Sequence, residues 1–401
     1  MVKKIVLAYS GGLDTSVILK WLKEYYQAEV IAALIDVGQK ENLKKLSAKA
    51  RRIGAQKVYV IDARQEFVRD YIFPALQAAV LYEGRYYLAT SLARPLIAKK
   101  IVEIARREKA DSVAHGATGK GNDQVRFETS FRALAPDLKI IAPWRIWNMK
   151  SRQDLINYAR QHRIPVPVTK EKPYSSDANI WHISYEGGIL EDLKNAPDDK
   201  MFQMTTPPEK APDRPENVSL EFVQGVPVKL NNRALSAVKL VDELNRIAGR
   251  NGVGIVDIVE NRLVGIKSRG VYESPAAVVL YSAHRELESI TLDRETFHYK
   301  EMVALRYAEL IYYGLWFTPL RQALAEFVAS TQKVVSGKVV LQLYKGNVKI
   351  LSRSSPKSLY WEKLATFERE EIYNQQDAGG FINLFSLPYY VAAIRRDYGK
   401  R

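Results

Sequence analysis

Two spacings of apolar residues alternate through the first 165 positions. Short uninterrupted apolar runs at 4–9, 29–36, 57–61, 112–114 and 139–142 have the length of buried strands. Between them apolar residues recur at helical spacing over 16–26, 42–53, 67–81 and 92–108. Strands without polar alternation, separated by amphipathic helices, predict an α/β fold whose parallel sheet carries helices on both faces. Ligands of such sheets bind beyond the carboxyl ends of the strands. The densest polar segments, at Ser10, near Asp36 and at His115, all fall at predicted strand ends.

Beyond this region the pattern changes. Residues 163–173, rich in Pro and Val, read as an extended linker and domain boundary, and the Pro-rich stretch 196–215 as a long surface loop. Strands are predicted at 218–223, 253–260, 263–267, 338–343 and 348–351. Helices are predicted at 236–248 and across 295–328, with Pro319 as an interruption. This mixture indicates an α+β second domain. A short amphipathic stretch at 388–398 reads either as a surface helix of that domain or as an arm gripping a neighbouring subunit. The expected division is 1–165, 166–360 and 361–401.

Composition narrows the function classes. A chain of 401 residues with 47% hydrophobic and 26% charged residues has room for two cored domains and lies far from the disordered class. No apolar run approaches the length of a membrane span, and the first predicted strand begins too early for a signal peptide, so a cytoplasmic protein is expected. The absence of cysteine removes disulfides, thiolate nucleophiles and Cys-based zinc sites, and the five scattered histidines form no zinc pair. The net charge of +15 admits two readings, an attraction for nucleic acid or the Lys/Arg-rich surface of a heat-tolerant protein. No dense basic tract marks a binding stripe, which favours the second.

The first polar cluster carries the chemistry. The predicted strand ending in Ala8-Tyr9 breaks at Ser10-Gly11-Gly12, and a helix begins at Leu13-Asp14-Thr15-Ser16. Strand, glycine turn and helix N-terminus form an anion site. Glycine lets the backbone approach a phosphate, and the unpaired N–H groups of the first helical turn point at it. The hydroxyls of Ser10, Thr15 and Ser16 add donors, while the Asp14 carboxylate calls for a metal ion or cationic partner. The spacing is not that of a Walker loop. The second cluster, 115–128 (His-Gly-Ala-Thr-Gly-Lys-Gly-Asn-Asp-Gln-Val-Arg-Phe-Glu), places three glycines in six residues before Asn122, Asp123 and Arg126. An amide, a carboxylate for an ammonium and a guanidinium fork for a carboxylate suit a zwitterionic amino acid lying beside a nucleotide.

The Ser-Gly-Gly-x-Asp-Thr run resembles the signature of the PP-loop (N-type ATP pyrophosphatase, adenine nucleotide alpha hydrolase-like) superfamily. Together, 8–16 and 115–128 resemble the argininosuccinate synthases, as do 82–86, 90–95, 141–145, 182–188, 257–262 and 267–273 in the same order. The resemblance covers about nine-tenths of the chain and is weakest after Ser358. It implies a PP-loop nucleotide domain, an α+β synthetase domain and a C-terminal helical arm. It also implies ATP-dependent ligation of citrulline with aspartate, with Mg²⁺, in a homotetramer without nucleic-acid or membrane partners. By this resemblance Ala8, Tyr9, Ser10, Gly11, Gly12, Leu13, Asp14, Thr15 and Ser16 hold ATP, with Ile35 and Gly116 touching the nucleotide. Thr118, Asn122 and Asp123 would bind aspartate. Tyr86, Ser91, Asn122, Arg126, Ser175, Ser184, Glu260 and Tyr272 would bind citrulline. Ser10, Asp14 and Arg126 are the expected catalytic residues, and no resident metal site is expected. Ser176, Ile266 and Ser282 replace residues usual in the family without removing any of these ligands. Rival readings are another PP-loop enzyme, such as one modifying tRNA, and a non-catalytic nucleic-acid scaffold.

Overall fold

The computed structural model describes residues 2–165, 174–366 and 372–398. Most of the predicted linker at 163–173 lies outside them. The chain separates into two compact units, 1–357 and 358–401.

The first unit opens with strands β1 (Lys4–Ala8), β2 (Glu29–Asp36), β3 (Lys57–Asp62), β4 (Ser112–Ala114) and β5 (Lys139–Ile141). They form one sheet in the order β3-β2-β1-β4-β5, and every pairing is parallel. Successive side chains alternate between its faces. Val6, Ile31, Ala33 and Ile35 enter one core, and Ile5, Leu7, Val30, Ala32 and Leu34 enter the other. Burial on both faces is why β1, β2 and β4 lack polar alternation, while β3 and β5 at the edges are only partly buried. The connecting helices are α1 (Leu13–Tyr26), α2 (Leu43–Ile53), α3 (Arg64–Phe67), α4 (Phe73–Gln77), α5 (Ala89–Arg107), α6 (Asp123–Leu134) and α7 (Arg152–Gln161). The single helix expected at 67–81 is instead α3, a π-helical turn (Val68–Ile72) and α4, ending before the left-handed Ala79. Pro74, which lacks an N–H, sits just after the widened turn.

Two antiparallel sheets follow. The first contains β6 (Ser175–Ala178), β7 (Ile183–Glu186), β11 (Ile255–Asn261) and β12 (Lys267–Glu273), ordered β11-β12-β7-β6. The second contains β8 (Glu216–Val223), β9 (Val226–Leu230), β10 (Arg233–Ala234), β13 (Gly337–Tyr344) and β14 (Asn347–Ser354), ordered β10-β9-β8-β13-β14. Helices α8 (Ala237–Arg250) and α9 (Pro275–Thr291) pack on the second sheet, whereas α10 (Arg294–Tyr312) and α11 (Pro319–Gln332) pack on each other and on α5 and α4. The unit is thus a mixed α/β structure, parallel first and antiparallel after.

Two expectations are corrected here, and one helix was not anticipated. Residues 263–266 are the turn of the β11–β12 hairpin, tightened by Gly265 at φ +87°, and the strand begins at Lys267. Pro319 opens α11 instead of interrupting a helix, because a missing N–H costs nothing in a first turn. Helix α9 escaped sequence reading because Ala276, Ala277, Val279, Leu280, Ala283 and Leu287 are all fully buried, which leaves its first half almost wholly apolar and confines its polar face to a narrow stripe at Ser282, Arg285 and Ser289.

The second unit contains α12 (Glu362–Ala365) and α13 (Asp377–Tyr398). Helix α13 is twice the length predicted from 388–398, and Pro388 lies inside it. Its Phe381, Leu384, Phe385 and Tyr389 are exposed. Among the described residues no helix is long and apolar enough to cross a membrane.

Candidate active site

A cleft of about 790 Å³ opens at the carboxyl ends of β1, β2 and β4. Strand order reverses between β1 and β4, and the divergence of the flanking connections leaves a crevice there. Its far wall is the sheet of β6, β7, β11 and β12. Register puts Asp177 and Tyr272 on either side of Ser184, in one row across three strands, and all three line the cleft.

The anion loop occupies one end. Gly12 caps α1 without a side-chain acceptor, so no side chain of the cap takes up the N–H groups of its first turn. Ser10 Oγ lies 3.1 Å from Thr15 Oγ1, and Tyr9 Oη 3.1 Å from Ser16 Oγ, which stiffens the turn from both sides. Burial raises the Asp14 carboxyl above its ordinary range, against the pull of its own backbone N–H and of Arg152. Gly116, at the end of β4, presses on this turn; a Cβ there would sit 2.8 Å from Thr15 Cγ2.

The glycine-rich loop 116–121 is tied down from α6. Gln124 Nε2 donates to the Gly119 carbonyl (2.6 Å), and Arg145 Nη1 donates to Gln124 Oε1 (2.9 Å). His115 Nδ1 accepts the Ala117 N–H at 3.2 Å, which puts the ring proton on Nε2, 3.2 Å from Glu128 Oε1. Burial raises the Glu128 carboxyl, but His115 and Arg145 outweigh it and hold the group at about 2. A depressed pKa stabilises the fold above the ordinary carboxyl range, and that contribution fades as pH falls from about 4.5 toward 2. The urea midpoints of wild type and Glu128→Gln should therefore differ most at neutral pH and converge in that acid window. A gap that does not change with pH would contradict this.

A charge relay forms the middle of the cleft. Arg126 Nη1 donates to Asp123 Oδ1 (2.9 Å), Arg94 Nε donates to Asp123 Oδ2 (2.8 Å), and Arg94 Nη2 donates to Asp177 Oδ2 (2.6 Å). Burial works against the Asp123 carboxylate, yet the two guanidinium groups bring it below its usual range. Arg126 Nε also donates to the Tyr312 carbonyl (2.9 Å), with the guanidinium 4.8 Å from the Tyr312 ring centre. Beyond it, Glu260 accepts from Tyr312 (2.9 Å) and Tyr272 (3.1 Å); burial raises its carboxyl. Tyr86 stacks on Tyr272 at 4.6 Å, and burial pushes its phenol up to about 12, so it stays a neutral hydroxyl. His182, fully buried behind Thr90 (2.9 Å), is driven down to about 3 by burial and the charges of Arg94 and Arg126.

Of the residues singled out from sequence, Ala8, Tyr9, Ser10, Gly12, Asp14, Thr15, Ile35, Tyr86, Gly116, Thr118, Asn122, Asp123, Arg126, Ser184, Glu260 and Tyr272 line this cleft. Gly11, Leu13 and Ser16 lie behind the loop surface, Ser91 is buried within α5, and Ser175 is exposed at the start of β6. Asn122 Oδ1 is already engaged by the Leu263 N–H at 3.0 Å, leaving its amide nitrogen to donate. Sequence reasoning missed Arg94, Thr90, Asp177 and His182 as a connected set. The one available signal was that Thr90, Arg94 and His182 fell within stretches already singled out. Of the three positions that differ from the family's usual residues, Ser176 lines the cleft, Ile266 is an exposed turn residue and Ser282 bonds its own helix.

Comparison with known proteins decides the family. The model for the arginosuccinate synthase N-terminal HUP domain matches residues 4–165, and that for the C-terminal domain of the same enzyme matches 174–392. This chain belongs to the argininosuccinate synthase family. The argininosuccinate synthase of Endomicrobium trichonymphae is 60% identical over 395 residues, covering 98% of this chain and 96% of its own. That of Caldanaerobacter subterraneus subsp. tengcongensis is 62% identical over 392 residues with the same coverage. That of Pelotomaculum thermopropionicum is 62% identical, covering 98% of both chains. Family membership agrees with the observed architecture, a HUP-type parallel sheet followed by antiparallel sheets and a helical C-terminus.

Proposed function

We propose that this chain ligates citrulline and aspartate to argininosuccinate at the expense of ATP, releasing AMP and pyrophosphate through a citrullyl-adenylate. One observation carries the reading. A single cleft joins an open helix N-terminus, suited to phosphate, to the Arg126–Asp123–Arg94 relay, suited to amino-acid charges.

The ureido oxygen of citrulline is a poor leaving group. Transfer of AMP to it creates a good one, and the aspartate amine can then displace AMP without a nucleophile from the protein. The chain's work is positioning and charge neutralisation. Ser10, Gly12 and Thr15 receive the phosphates. Arg126 clamps the citrulline carboxylate, with Glu260 and the hydroxyls of Tyr86 and Tyr272 nearby. Asp123 receives the aspartate ammonium, and Thr118 and Asn122 donate to its carboxylates. Among the described residues no three His, Asp or Glu side chains converge as a metal cage. A Mg²⁺ ion would be held together with the nucleotide, by the Asp14 carboxylate of the loop and by phosphate oxygens. It would neutralise the charge of the departing pyrophosphate.

The same reading divides the chain at 165 and 360, assigns residues 361–401 to an arm in a homotetramer, and places the enzyme in the cytoplasm. The test is pyrophosphate release from ATP with citrulline and aspartate omitted in turn. Release that needs both amino acids is expected. Release with neither, or release that responds to RNA, would point to a different acceptor. Asp14→Asn should raise the Mg²⁺ concentration required for half-maximal rate; an unchanged requirement would remove Asp14 from that role.

A further inference from the structure

Helix α2 packs behind the anion loop, where none of the residues involved lines the cleft. Leu46 lies so close that a Cβ on Gly11 would meet its Cδ2 at 2.5 Å, and Gly11 itself sits at φ +80°. One turn further along α2, Lys49 Nζ donates to the Gly11 carbonyl at 2.7 Å. Lys49 is half-buried, and no carboxylate among the described residues lies within ion-pair distance of it. Burial alone lowers its pKa, with no anion to oppose the shift. A partly desolvated ammonium without a counter-charge is costly unless an anion arrives.

The backbone converts this contact into a direction. In a trans peptide the carbonyl and the following N–H point to opposite sides. Holding the Gly11 carbonyl back toward α2 therefore turns the Gly12 N–H the other way, and Gly12 lines the cleft. The Gly12 N–H has only a long 3.5 Å contact to Ser10 Oγ, so it remains available to a ligand.

We propose that Lys49 is a positioning residue for the phosphate chain of the nucleotide. It anchors the Gly11 carbonyl so that the Gly12 N–H faces the phosphates, and its charge is compensated when they bind. This rests on the phosphate-binding reading of the loop given above, and no residue of α2 was singled out from sequence for that task.

The test is calorimetric titration of inorganic pyrophosphate with Mg²⁺ into wild type, Lys49→Met, Lys49→Arg and Lys49→Gln, alongside thermal midpoints without ligand. Loss of a charged donor predicts binding weaker by about tenfold or more in Lys49→Met. Lys49→Arg, keeping donor and charge, should stay close to wild type, and Lys49→Gln, keeping only a donor, should fall between. The KM for ATP should rise in step, while those for citrulline and aspartate hold. The ligand-free midpoint of Lys49→Met should be unchanged or higher, because an uncompensated charge has left a half-buried site. Wild-type affinity in Lys49→Met overturns the proposal, as does an affinity loss that merely tracks a lower ligand-free midpoint. If wild type itself binds no pyrophosphate, the phosphate reading of the loop falls and takes the proposal with it.

Discussion

Replacing Arg126 by alanine is expected to lower kcat/KM for citrulline by roughly 30- to 5,000-fold, the equivalent of about 2–5 kcal/mol for a buried, hydrogen-bonded charge that loses its partner. The Arg126 side chain is 6% exposed, its Nη1 is committed to Asp123 and its Nε to the Tyr312 carbonyl. Those two anchors leave Nη2 as the free edge of the fork for a substrate carboxylate. The fall should be specific. Arg94 remains on Asp123 after the substitution, so the carboxylate stays paired and the KM for ATP should move little. Arg126→Lys keeps the charge but cannot serve Asp123, Tyr312 and a carboxylate at once, so it should recover only a small part of the loss. Steady-state kinetics with each substrate varied separately decides the matter. Unchanged citrulline parameters in Arg126→Ala would remove this residue from the citrulline site.

The second large effect is steric. Gly116→Ala places a methyl group 2.8 Å from Thr15 Cγ2 and 3.4 Å from Ile18 Cδ1, so β4 and the start of α1 cannot keep their spacing. Restoring an ordinary contact of 3.4–4 Å needs a shift of about 0.6–1 Å at the loop proposed to receive the phosphates, which should cost up to about 10²-fold in kcat/KM for ATP. The contact also predicts its own remedy. Thr15→Ser deletes Cγ2 while retaining the hydroxyl that meets Ser10 Oγ at 3.1 Å. The Gly116→Ala/Thr15→Ser double variant should therefore regain much of the lost activity, giving a large coupling in a double-mutant cycle. Strictly additive losses would mean that the glycine serves something other than this approach.

How much of this was legible in the chain depends on how local each feature is. The five parallel strands fell where uninterrupted apolar runs lay; in β1, β2 and β4 burial on both faces leaves no polar residue to dilute the signal. The hairpin turn at 263–266 was read as strand because Leu263, Val264 and Ile266 are apolar yet 38–49% exposed. Apolar character ordinarily reports burial, and here it does not. The relay escaped for the opposite reason. Arg94 stands on a helix whose sequence reads as an ordinary amphipathic element, and its partners Asp123 and Asp177 are 29 and 83 residues away.

The amino-acid sequence by itself determined the parallel sheet and the strand–glycine-turn–helix loop proposed to hold an anion. Both are coded within a few consecutive residues: side-chain alternation sets which faces are buried, and glycines at a strand end set how closely an anion can approach. Motif resemblance added the residues expected to bind each substrate. The tertiary structure alone decided how those residues are held. Arg126 is anchored by a carbonyl 186 residues later, Glu260 by a tyrosine 52 residues later, and Asp123 is shared between two guanidinium groups. Periodicity reports which side of an element is apolar and carries no information about which element it will face. Partners for buried polar groups are chosen only when helices and sheets meet, and the physical chemistry of the cleft is set by that choice.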